Sequence, residues 1–218
     1  MKRLTLNRLC QAAKKFSAQE SEASHPSLFG VTDGKAIGTY IEHRFQSFLA
    51  DQFIYERGSS AKGIDLPGSD INTDIKVTSA RQPQSSCPYR DSKQKIYGLG
   101  YNLLIFVYEM TDAPADQNCL LKITDCTFLD SSRTADYTTT YRLIEMLKDG
   151  ANREDILAYL IDKNVPGDDI TLNQLANMIL NKTPLQGYLT ISNALQWRLQ
   201  YARVVNLKDD VSGIKRLV

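Results

Sequence analysis

Residues 101–109, YNLLIFVYE, are apolar or aromatic at nearly every position. A strand with one wet face alternates apolar and polar side chains. A continuous run of this length reads instead as a strand buried on both faces, inside a sheet that helices cover. The flanking patterns supply the other parts. Residues 34–52, GKAIGTYIEHRFQSFLADQ, set Ile37, Tyr40, Ile41, Phe45, Phe48 and Leu49 at helical spacing. Residues 53–56 suit an edge strand, and residues 119–129 offer Leu121, Ile123, Cys126 and Phe128 as the apolar positions of another. Residues 91–100 resume a helical pattern with Ile96, Tyr97 and Leu99 packing inward. The N-terminal residues combine Leu4, Leu6, Leu9 and Phe16 with several lysines and arginines, a short amphipathic helix ending in the polar stretch 17–27. Together these predict an α/β fold, a mixed sheet flanked by helices.

From about residue 138 the pattern turns helical. Asn152 is a suitable N-cap for a helix through Lys163, which Val165-Pro166-Gly167 breaks. Thr171 and Gln174 have capping-box spacing ahead of a helix reaching Leu180. A long helix is expected from Thr190 or Ser192 through Val205. The expected organisation is therefore a core over residues 1–137, including the N-terminal helical segment, and a helical C-terminal subdomain over residues 138–218. Two roles stay open for that subdomain. It is either a helix-turn-helix-like unit displaying Gln196, Arg198, Gln200 and Arg203 to DNA, or a plain helical layer that covers the sheet or forms a dimer interface.

Composition bounds the function classes. With Lys and Arg at 26 against Asp and Glu at 25, the net charge of +1 gives no global basic field. A nucleic-acid binder of this kind needs local basic groups instead. Four cysteines (Cys10, Cys87, Cys119, Cys126) and two histidines fit neither a zinc pattern nor a small disulfide scaffold. No apolar run approaches the ~20 residues that span a bilayer, and no secretory signal opens the chain. A soluble, cytoplasmic protein with no membrane partner is the expectation.

Chemistry concentrates in residues 63–79, GIDLPGSDINTDIKVTS. Ile64-Asp65-Leu66 is a brief strand-like run, Pro67-Gly68-Ser69-Asp70 is strong turn chemistry, and Ile71, Ile75, Val77 and Thr78 suit a second strand. Asp74 and Lys76 are two apart, so they leave one face while Ile75 and Val77 leave the other. With Asp65 across the turn, this reads either as a solvated face with a weak ion pair or as a metal-and-base constellation. Two carboxylates can hold a hard cation such as Mg2+, and a lysine beside them can orient or deprotonate water or stabilise charge on a phosphate. Glu42 lies at the edge of its helix's apolar stripe, which favours a surface glutamate over a third acidic group.

Residues 80–89, ARQPQSSCPY, look too polar and Pro-rich to extend the strand. They offer Arg81, Gln82, Gln84, Ser85 and Ser86, followed by Arg90, Lys93 and Gln94. Arg and Gln read guanine and adenine edges, and Ser contacts phosphate, so an ordinary polar loop and a DNA-contacting loop are both open readings. From Arg81 to Lys95 four basic residues face one acidic residue.

These residues resemble a family. Asp65 across a short hairpin from Asp74-Ile75-Lys76, with a helix bearing Glu42 before it and a helix and buried strand after it, is similar to the PD-(D/E)xK nuclease superfamily. Within that superfamily the type II restriction endonucleases resemble the chain most closely in size. The stretch DIKVTSARQPQSSCPYRDSKQKIYGLGY also resembles restriction-enzyme sequences. The resemblance covers roughly residues 34–129. Ile64 stands where the motif's proline would be, and Gln94 and Tyr97 match the family's glutamine-tyrosine pattern only loosely.

What the resemblance implies is a restriction-endonuclease-like catalytic core in residues 1–137. Asp65, Asp74 and the Ile75 carbonyl would hold Mg2+, Lys76 would activate water, and Glu42 would be an accessory acidic group. The implied activity is Mg2+-dependent hydrolysis of double-stranded DNA at a specific short sequence by a homodimer. A cognate DNA methyltransferase would coexist without binding. The alternatives are a structure-directed repair or recombination nuclease of the same fold, and a non-catalytic DNA-binding module, against which an intact Asp65, Asp74 and Lys76 argue.

Overall fold

The computed structural model describes residues 1–58, 63–193 and 196–218. In chain order the first half runs β1 (Lys2–Arg3), α1 (Leu6–Glu22), α2 (Gly34–Ala50), β2 (Phe53–Ile54), β3 (Thr73–Ser79), β4 (Gln84–Pro88), α3 (Lys93–Tyr97) and β5 (Asn102–Ala113). It continues through β6 (Asn118–Leu129), α4 (Tyr137–Lys148), α5 (Arg153–Asp162), α6 (Asp169–Asn181), β7 (Thr190–Ile191), β8 (Gln196–Gln200), α7 (Ala202–Val205) and β9 (Ile214–Arg216). The chain divides into two compact units. One contains Met1–Ser85, Tyr101–Leu129 and Lys208–Val218; the other contains Ser86–Gly100 and Asp130–Leu207.

The first unit is built on a four-stranded sheet in the order β3-β5-β6-β9. Its centre is the apolar run: Leu103, Leu104, Ile105 and Phe106 on β5 are 0% exposed. β3 lies parallel to β5, aligning Asp74 with Leu103 and Lys76 with Ile105, while β6 and β9 are antiparallel. The sheet is mixed, as the order of elements requires. α1 packs on β6 and α2 on β3. Their apolar stripes meet the sheet through Phe16, Phe45 and Phe106, with ring centroids 5.0 Å apart for Phe45 and Phe106 and 5.1 Å for Phe16 and Phe45. Each such buried ring contributes about 1.5–3 kcal/mol over exposure. Asp33 caps α2, its carboxylate accepting from Lys35 N–H at 3.0 Å.

The second unit carries α4, α5 and α6 around Leu143, Ile156, Leu160, Leu175 and Ile179, with Ile96 of α3 in the same cluster. Asn152 and Asp155 form a full capping box on α5. α6 begins earlier than the Thr171 spacing predicts, because Asp168 is the cap and accepts from Thr171 N–H at 2.7 Å. The expected long helix from Thr190 or Ser192 through Val205 is absent among the described residues (194 and 195 lie outside them). β7 and β8 pair there instead, and only the four-residue α7 follows. The reason is the alternation in Gln-Trp-Arg-Leu-Gln, which buries Trp197 and Leu199 on one face. The unit also holds the antiparallel pair β7 and β8, so residues 138–218 are not helical throughout.

Residues 80–89 differ in the same way. The Thr78 hydroxyl accepts from Gln84 N–H at 3.0 Å and donates back to the Gln84 carbonyl at 3.0 Å. That staple closes a short return after β3, and the chain then runs as β4 rather than as a long loop.

Candidate active site

The hairpin forms where turn chemistry placed it, with its closure shifted. Leu66 and Thr73 exchange both backbone hydrogen bonds at 3.0 Å, and β3 starts at Thr73 rather than Ile71. Between them Ile71 and Asn72 donate back to the Gly68 carbonyl, at 2.8 and 2.7 Å. Asn72 takes a left-handed φ of 34°, which asparagine tolerates better than most side chains. Asp70 stays in this turn, exposed and paired with Arg3 at 2.8 Å, which removes it as a rival to Asp65.

β3 ends the sheet, and among the described residues its outer edge is bridged only at Thr73, by Leu66. Asp65 occupies that edge. Its Oδ2 accepts from the Ile75 N–H at 2.7 Å. The N–H and C=O of one strand residue leave on the same side, so the Ile75 carbonyl opens toward the edge that Asp65 lines. The Ile75 side chain belongs to the core, with Val77 packed against it. Strand alternation then turns Asp74 and Lys76 to the opposite face.

Asp74 is 4% exposed and pairs with Lys76 Nζ at 2.7 Å. Its carboxyl is pushed up to about 7, first by burial, with the neighbouring Lys76 charge opposing and a hydrogen bond with Asp65 adding to the rise. Glu42 is drawn in as well. It is half-buried on α2, accepts from Gln46 Nε2 at 3.1 Å, and its carboxyl is raised by burial and then by the Asp65 charge. Helix position alone favoured a surface glutamate. Three carboxylates thus share a field that Lys76 and, at Glu42, His43 only partly offset.

Hard oxygen donors in excess of cations suit a divalent ion. Among the described residues no three His, Cys, Asp or Glu side chains form a ready-made metal cage. Mg2+ is usually held by one or two carboxylates, with water and substrate phosphate completing its shell. Asp65, Asp74 and the Ile75 carbonyl fit that demand. The four cysteines are buried, and none of them forms a disulfide.

Asp65 has a support that the sequence did not signal. Gly58 N–H donates to the Asp65 carbonyl at 2.8 Å. A Cβ at Gly58 would lie 1.9 Å from the Ile64 oxygen, so only glycine lets this segment close on Asp65.

The candidate DNA contacts scatter. Arg81 and Gln82 are exposed at the return after β3, while Gln84 and Ser85 are half-buried on β4; these belong to the first unit. Ser86, Arg90 and Lys93 are exposed in the second. Gln94 is turned inward, donating Nε2 to the Leu99 carbonyl at 2.9 Å with its Oε1 buried, and so is not displayed to a ligand. Lys95, one of the four basic residues in the charged stretch, is 5% exposed. It donates to the Ile191 carbonyl at 3.1 Å and to Asn193, and burial pulls its amine down. Its place is structural.

Two comparisons bear on this arrangement. The family model described as "Type II restriction enzyme NspV" matches residues 3–216. The curated protein "Type II restriction enzyme NspV" from Nostoc sp. (strain ATCC 29411 / PCC 7524) is 47% identical over 211 residues, covering 97% of this chain and 95% of that one. No solved structure matches the chain. No helix of the described residues is long and apolar enough to cross a membrane.

Proposed function

Because this chain belongs to the NspV family of type II restriction enzymes, we propose that it hydrolyses double-stranded DNA at a specific short sequence, with the Asp65, Asp74 and Lys76 cluster as its catalytic centre. One observation carries the assignment of the centre: Asp65 on the Ile75 N–H and Asp74 on Lys76 converge on β3, with a hydrogen bond between the two carboxyls. Asp65, Asp74 and the Ile75 carbonyl hold Mg2+ in this reading. The ion supplies positive charge and lowers the pKa of bound water. Lys76, held at 2.7 Å from Asp74 and partly open to solvent, orients the attacking water and offsets charge on the phosphate. Glu42 acts as an accessory acidic group whose charge reinforces the demand for a cation.

The exposure of Arg81, Gln82, Ser86, Arg90 and Lys93 supports their contact with the duplex, with Gln84 and Ser85 less open. The enzyme acts in the cytoplasm as a homodimer on a palindromic site, and a methyltransferase of the same specificity protects host DNA without binding it. The test is digestion of unmethylated phage DNA with Mg2+ and with EDTA. Discrete, reproducible fragments in Mg2+ alone are expected. A smear, or cutting confined to branched DNA, would replace this reading with a structure-directed nuclease.

A further inference from the structure

β8 has two faces of opposite chemistry. Trp197 and Leu199 are fully buried, while Gln196, Arg198 and Gln200 are all exposed. The backbone behind this row is fixed. β7 aligns Thr190 with Gln200 and Ile191 with Leu199. Ser192 grips Arg198 twice, its N–H donating to the Arg198 carbonyl at 3.2 Å and its Oγ accepting from the Arg198 N–H at 3.0 Å. Behind it Trp197 packs on Tyr89, with centroids 5.2 Å apart. Among the described residues no hydrogen bond or ion pair engages the side chains of Gln196, Arg198 or Gln200. A rigid strand therefore displays three uncommitted polar side chains.

Their identities select the occupant. A guanidinium and two carboxamides are the groups that match guanine and adenine edges bidentately in the major groove. Same-face residues on a strand are about 6.8 Å apart, close to two base steps of about 3.4 Å each, and the groove is wide enough for a β-ribbon. Charge agrees: none of β4, β7 and β8 contains an Asp or Glu, although acids and bases balance over the whole chain. A second protein copy would favour apolar side chains in such a row, and it has none.

We propose that Gln196, Arg198 and Gln200 on β8 read base edges in the major groove of the duplex that this enzyme cuts, Arg198 at a guanine and the glutamines at adenines. This rests on the site-specific cleavage proposed above. The row was visible in the sequence as a set of candidate DNA contacts on a helix; the strand changes its geometry from a helical spiral to a straight edge.

The test begins by mapping the site cut by the wild-type enzyme. Arg198→Ala, Arg198→Lys, Gln196→Ala and Gln200→Ala are then compared with wild type on a duplex carrying that site and on duplexes with one base pair changed. Cleavage is measured in Mg2+ and binding in Ca2+, with thermal melts to show that these exposed substitutions leave folding intact. Arg198→Ala should lower kcat/KM on the mapped duplex by about 10- to 100-fold and erase discrimination at one base pair, with only a small loss on non-specific DNA. Arg198→Lys should behave similarly, because the charge remains but the planar fork is lost. Equal losses on every duplex would overturn the proposal in favour of phosphate contact. Unchanged discrimination in all four variants would overturn it outright. So would a changed oligomeric state without DNA and with discrimination intact, which would assign the face to a second copy. A wild-type enzyme with no mappable site is a separate failure, since it removes the site-specific reading itself.

Discussion

Asp74→Asn should stabilise the metal-free protein while destroying its activity. Asp74 is 4% exposed, and its carboxyl is raised from 3.8 to about 7, with burial the largest cause. A carboxyl with a raised folded-state pKa favours folding fully below its unfolded value. That contribution is lost as pH climbs through the folded value. Across this window the loss is on the order of 4 kcal/mol, since one unit is worth about 1.4 kcal/mol. Asparagine keeps the shape without the charge, so the gain should be largest at pH 8 and less than half as large at pH 5. For a chain of this length each kcal/mol moves Tm by about 2–4 °C. Thermal melts of both proteins in EDTA at the two pH values measure it. An Asn variant that melts lower than wild type at pH 8, or whose gain does not shrink at pH 5, would refute the idea that the site stores uncompensated negative charge.

Three further substitutions probe the same account. Gly58→Ala drives a Cβ into the Ile64 carbonyl at 1.9 Å; displacement of Asp65 should lower kcat on the order of 10²-fold with DNA binding in Ca2+ nearly unchanged, and a wild-type kcat would dismiss Gly58 as a positioning residue. Asp136 accepts from Thr139 N–H and Ile191 N–H, both at 2.8 Å, so Asp136→Ala should cost about 3 kcal/mol in urea unfolding, and a loss below about 1 kcal/mol would contradict that role. Asp70→Ala breaks only an exposed pair with Arg3 and should leave the cleavage rate unchanged; a collapse in rate would put the turn carboxylate back into the mechanism.

What the sequence revealed and what it hid divide along physical lines. The buried strand, the helix carrying Glu42 and the Asp65 hairpin rest on contiguous patterns: an apolar run, a helical stripe, turn residues and a two-residue alternation. Those signals act over a few residues and survived folding. The helical spacing of residues 190–205 hides the two-residue alternation of Gln196–Gln200, which pairs with β7 as a strand. Lys95 adds to the basic count of residues 81–95 in the sequence, but neighbours in sequence need not be neighbours in space. The fold sends it instead to Ile191 and Asn193. Nothing near Gly58 signalled that its missing side chain makes room for the chain at Ile64 and Asp65, since that contact exists only after the turn has closed.

The most direct test of the central claim is single-turnover cleavage of the mapped duplex by Lys76→Ala, beside its binding of that duplex in Ca2+. Loss of the lysine that sits 2.7 Å from Asp74 should slow cleavage on the order of 10³-fold, with binding changed only slightly. Cleavage close to the wild-type rate would show that the Asp65, Asp74 and Lys76 cluster is not where the phosphodiester is cut.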